Sequence, residues 1–152
     1  MKNLKTFLSL ILVTFTGVTF SADSSSTKFN CKAKTAGLIH VLTIREKDNA
    51  ITSFDYLSMQ RSEAGQPSAS CGIAASSENG KSVWNRSAFK TVVQLNDSVD
   101  KEDIATLTSL KNKITLNMEN ISVGNCGSSV GIATKIRLNK KSKVCEVISE
   151  AN

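Results

Sequence analysis

Leu38-Ile39-His40-Val41-Leu42-Thr43-Ile44-Arg45 is followed by the polar Glu46-Lys47-Asp48-Asn49 and then by Ala50 to Gln60. This stretch decides the fold class. Its first part is a β-branched, nearly continuous apolar run. A four-residue polar break is too short for anything but a reversal. The return strand alternates, with Phe54 and Tyr56 on one face and Ile51, Leu57 and Met59 mostly on the other. Two strands joined by a tight turn form an antiparallel pair.

The same grammar extends outward. Phe29, Cys31 and Ala33 alternate with Asn30, Lys32 and Lys34, an opening strand that Gly37 ends. Residues 62–70, with the single Pro67, read as a loop, and Cys71 to Ala75 as a short strand. Asn79-Gly80 signals a turn. Val83 to Leu95 reads as one strand-like stretch. Ile114, Leu116 and Met118 alternate, and Ser122 to Ser129 form a Gly-containing loop. Val130 to Leu138 and Lys143 to Ile148 complete the set, around a basic turn at Asn139 to Ser142. Ile104, Leu107 and Leu110 have helical spacing, and Asp100 and Asp103 stand where a helix start favours acids, so a helix is predicted over 100–111. The expected fold is mainly β: a small antiparallel β-barrel or sandwich of about seven to eight strands with one short helix, stapled by two disulfides.

The N-terminus has the parts of a cleavable signal peptide. Lys2 and Lys5 give a positive start, Phe7 to Val18 an apolar stretch, and Thr19 and Ser21 the small residues a signal peptidase requires. The apolar stretch is shorter than the roughly 20 residues of a spanning helix. Residues 1–21 are therefore expected to be removed, residues 22–27 to form a disordered polar leader, and residues 28–152 a single β-rich domain. Periplasmic or secreted localisation follows, with no transmembrane segment after processing. Loss of Lys2 and Lys5 leaves 17 basic against 13 acidic residues, a net charge of +4. The domain is mildly basic, which attracts anions, and too poor in aromatics for stacking nucleic-acid bases.

Cys31, Cys71, Cys126 and Cys145 all lie in the mature part. An even count in an exported domain reads as two disulfides. Of three connectivities, Cys31–Cys145 and Cys71–Cys126 are favoured: the first ties the opening strand to the closing strand, and the second joins two Cys-Gly steps in turn-like contexts. No C-x-x-C and a single His argue against zinc.

No catalytic or metal constellation emerges, so neither an enzymatic activity nor a cofactor is expected. His40 falls on the predicted core face. No serine has a G-x-S-x-G context. Asp97, Asp100, Glu102 and Asp103 lack the alternation and glycine of a calcium loop. The candidate binding residues are Trp84 with Arg86, as an anchor at a strand start, and a basic hairpin of Lys135, Arg137, Lys140, Lys141 and Lys143. Loops 62–70 and 122–129 are candidate contact surfaces.

The layout of a signal peptide, an opening Phe-x-Cys strand (Phe29, Cys31), a compact antiparallel barrel and a late cysteine (Cys145) is similar to that of small periplasmic lysozyme inhibitors. The Ser-Gly and Tyr recognition motif of the best-known group is absent here. The expectation is a monomeric, non-enzymatic binding or inhibitor module acting on a protein or an anionic envelope component, not on nucleic acid. The alternative is a small β-barrel carrier of an apolar ligand.

Overall fold

The computed structural model describes residues 25–35, 37–62, 65–95, 103–122, 126 and 130–151. The predicted signal peptide and the acidic residues Asp97, Asp100 and Glu102 lie outside them. Ten strands form two antiparallel sheets. The first sheet holds β1 (Ser26–Lys34), β2 (Leu38–Lys47), β3 (Ala50–Arg61) and β4 (Pro67–Ser76), in that order. The second holds β5 (Ser82–Arg86), β6 (Lys90–Leu95), β7 (Ile104–Leu110), β8 (Lys113–Asn120), β9 (Ile132–Asn139) and β10 (Cys145–Ala151). Every hydrogen-bonded neighbour is also a sequence neighbour.

The reversal predicted over Glu46 to Asn49 is tighter than expected: Glu46 and Lys47 belong to β2, and Asp48-Asn49 form a two-residue turn between the Lys47–Ala50 pair, with both φ angles positive. Asp and Asn tolerate that region better than other side chains. The strand alternation sorts most residues as the sequence suggests, but Ile51, expected on the face opposite Phe54 and Tyr56, is buried with them because the β2–β3 register shifts between Arg45 and Glu46. Leu42, Ile44, Phe54 and Tyr56 from the first sheet meet Val93, Leu107, Leu116, Ile136 and Leu138 from the second, all buried. Each such large apolar side chain contributes roughly 1.5–3 kcal/mol on leaving water.

Several expectations are corrected. The helix over 100–111 does not form: residues 104–110 are strand β7. Ala105 and Leu107 point inward at period 2, whereas Leu110, counted as a core position of the helix, is exposed. The β-branched Ile104, Thr106 and Thr108 favour the pleated alternative. The stretch 83–95 is two strands, β5 and β6, reversed at Ser87–Phe89 without glycine or proline. The total is therefore ten strands, not seven to eight. The loop read over 62–70 gives way to β4 from Pro67, and Cys71-Gly72 lies within that strand rather than in a turn. Ser26 and Thr27, placed in the disordered leader, already pair with Lys47 and Glu46.

The barrel does not close. Asn79-Gly80 bends the chain without reversing it. Ser76 is level with Ser53, Ser77 N–H donates to the Thr52 carbonyl at 2.9 Å, and Arg86 reaches the Ile51 carbonyl at 3.3 Å. β5 thus continues in the direction of β4 while crossing to the other sheet. Lys140 meets Glu46 at one end of β2, and Glu150 meets His40 at the other. These contacts make β10 antiparallel to β2 and parallel to β1. The two edge strands lie side by side without a hydrogen-bonded ladder among the described residues. Cys31–Cys145 joins them covalently, Cα to Cα 5.3 Å, and Cys71–Cys126 ties β4 to the segment between β8 and β9.

Candidate binding surface

Two buried polar clusters hold the sheets together, and they account for two of the residue types with catalytic chemistry. His40 is fully buried on β2. Its Nδ1 lies 2.8 Å from the Tyr56 hydroxyl, and its Nε2 lies 2.8 Å from Glu150 Oε1 and 3.0 Å from Thr35 Oγ1. The Tyr56 hydroxyl accepts the Ala133 N–H at 2.6 Å from the opposite sheet. Ser58 Oγ donates to the Gly131 carbonyl at 2.7 Å beside it. The network assigns a chain of donation from Ala133 N–H to Tyr56 O–H to His40 Nδ1, leaving Nε2–H for Glu150. Burial lowers the His40 pKa, with the Glu150 charge and hydrogen bond opposing it. Burial pushes the Tyr56 phenol up to about 12. Both ring nitrogens are engaged, so the cluster acts as an inter-sheet clamp.

At the other end, Lys140 Nζ donates to Glu46 Oε1 and Oε2 at 2.7 and 3.0 Å and to Ser109 Oγ at 3.2 Å. It also stands 5.6 Å over the Phe29 ring. Lys140 is therefore a structural residue of the interior edge, not part of a free cationic patch.

The other residues of the expected basic hairpin separate. Arg137 faces outward on β9 and pairs with Glu146 at 3.3 Å, and Lys135 is half-buried on the same face. Lys141 and Lys143 are exposed at the tip. Trp84 is not a free anchor. Its ring is half-buried against Phe54, centroids 6.5 Å apart, with the Arg86 guanidinium 5.4 Å over it. Its Nε1–H donates to Ser82 Oγ at 2.8 Å. Of the two candidate contact loops, Ser122 and Cys126 are the described residues of 122–129, and 67–70 belong to β4.

What strand order assembles instead is one end of the molecule built from four turns: 48–49, 87–89, 111–112 and 140–143. They are contiguous. The first two share a hollow of about 100 Å³ lined by Asn49, Ile51, Arg86, Phe89, Thr91 and Ser109. Ser109 N–H donates to the Phe89 carbonyl at 2.9 Å, and Lys140 N–H to the Asn112 carbonyl at 2.7 Å. Lys47, Lys90, Lys111, Lys113, Lys141 and Lys143 are exposed on or beside these turns, and none is in an ion pair among the described residues. Asp48 is the one acid in the four turns. Of these lysines, Lys141 and Lys143 stand out in the sequence as part of one basic run. The others lie in separate hairpins, and only the fold brings them together.

Among the described residues, no group of His, Cys, Asp and Glu is placed to hold a metal ion, and no helix is long and apolar enough to cross a membrane. No family model, curated protein or solved structure matches the chain.

Proposed function

We propose that this domain is an exported, non-enzymatic binding module that docks its basic end on an anionic partner in the cell envelope. The observation that carries this reading is the set of six exposed, unpaired lysines on four contiguous turns. A cationic end on a stapled scaffold attracts anions at long range and keeps its shape on contact. The buried His40 and Glu46 clusters, with their groups paired to each other, support a structural use of the chain's reactive side chains. The carrier alternative requires an unfilled interior; the inward side chains of both sheets meeting at full burial support a surface function instead. A basic end also repels a basic enzyme, which favours an anionic component over a lysozyme-like target.

The test is sedimentation of the oxidised mature domain with a washed envelope fraction. The wild type should bind saturably. Lys111→Glu with Lys141→Glu should lose binding, whereas Lys32→Glu with Lys34→Glu on β1, an equal change in net charge, should not. Equal loss in both variants, or no binding by the wild type, would refute docking through this end.

A further inference from the structure

We infer that the anionic partner is a lipid surface, and that the basic end seats on it with Phe89, Leu110 and Val144 entering the headgroup layer; this rests on the docking reading above. Large apolar side chains that a folded domain leaves in water call for an explanation when they gather in one place. Phe89 is 64% exposed, Leu110 55% and Val144 59%. All three sit at the basic end, each on a different hairpin. Each is the chain neighbour of an exposed lysine: Phe89 with Lys90, Leu110 with Lys111, and Val144 with Lys143. Apolar tips flanked by cations suit an interface with acyl chains beneath and phosphates at the rim. A soluble polyanion would use the lysines and leave the apolar tips in water.

Backbone conformation supplies a second observation. Lys111 has φ 51° and Lys143 φ 54°. Lys111 is the first residue of the two-residue turn between the Leu110–Lys113 pair, a place that glycine usually takes. A lysine in this region costs on the order of 1 kcal/mol relative to glycine. Both strained residues belong to the apolar–lysine pairs, as expected where a side chain is retained for what it contacts.

The experiment is co-sedimentation of the oxidised mature domain with vesicles of equal parts phosphatidylglycerol and phosphatidylcholine, and with phosphatidylcholine alone. Wild type should bind the mixed vesicles and not the neutral ones. Part of that binding should survive about 1 M salt, where screening acts within roughly 3 Å. Phe89→Ser with Leu110→Ser should weaken binding about tenfold or more and abolish the salt-resistant part. Lys111→Gly with Lys143→Gly should melt at or above the wild-type temperature yet bind several-fold more weakly. Melting curves for each variant separate loss of binding from loss of fold. Failure of the wild type to bind anionic vesicles, or wild-type binding by Phe89→Ser with Leu110→Ser, would overturn the inference. If envelope sedimentation then still depends on Lys111 and Lys141, docking stands and the partner is not lipid.

Discussion

Tyr56 is the single tyrosine of the chain, so its ionisation can be followed by near-ultraviolet absorbance without assignment. It is fully buried, donates toward His40 and accepts from Ala133. Its pKa is raised from 10.0 to about 12, chiefly by burial. The folded protein therefore holds this proton between pH 10 and 12 while the unfolded chain has released it. Stability from this group is fully present below pH 10 and is lost as pH rises through 12. Each tenfold change in proton affinity is about 1.4 kcal/mol, so the alkaline loss attributable to Tyr56 is about 3 kcal/mol. The perturbation is Tyr56→Phe. It removes this limb of the pH dependence, and it leaves the Ala133 N–H and His40 Nδ1 without their partner. Each orphaned group costs about 1–3 kcal/mol, so the variant should be about 2–6 kcal/mol less stable at neutral pH. The assay is urea unfolding across pH 7–12, paired with tyrosinate titration of the folded protein. A folded-state titration near 10, or a Tyr56→Phe variant as stable as the parent with an unchanged alkaline limb, would refute the clamp.

Further consequences are measurable on the same domain. His40, the single histidine, has a lowered pKa. Stability should therefore be constant above about pH 6.5 and fall as pH drops through the depressed folded value; His40→Gln should lack this acid limb in the same unfolding assay. Cys31→Ser with Cys145→Ser releases a loop spanning 114 positions and should cost about 5 kcal/mol, read as a fall in Tm of about 15 °C. Leu107→Ala should cost about 2–5 kcal/mol and Leu110→Ala less than about 0.5 kcal/mol by urea titration. Comparable losses at both sites would favour the helical register over strand β7.

The parts of the fold legible in the sequence are those set by local alternation. Leu38 to Gln60 encodes two strands, a reversal and the inward faces of Leu42, Ile44, Phe54 and Tyr56 through period 2, whereas Ile51 reaches the same core only through the register shift opposite Arg45 and Glu46, which alternation does not encode. Residues 104–110 defeat the same method. Ile104, Leu107 and Leu110 fit a helical stripe, while the small inward Ala105 and Ser109 give a strand little apolar contrast. The β5–β6 reversal uses Ser87-Ala88-Phe89, which carries no turn signature. The binding surface was legible in fragments. Lys141 and Lys143 stand out in a basic run, but Lys47, Lys90 and the pair Lys111 and Lys113 lie in three other hairpins, and their proximity is a property of strand order. Lys140 looked equivalent to its neighbours, and its partner Glu46 lies 94 positions away in the sequence.

The unreversed passage from β4 to β5 has a consequence for vectorial geometry. Eight reversals among ten strands give the chain an even count, so it enters at one pole, at Ser26, and its last strand, ending at Ala151, runs toward the other. A ninth reversal at Asn79-Gly80 would have brought both termini to the same pole. With the lysine-bearing pole against a surface, a reporter or a second module joined after Asn152 projects away from that surface. Cargo appended there would be displayed, while the same cargo joined before Ser26 would compete for the contact zone.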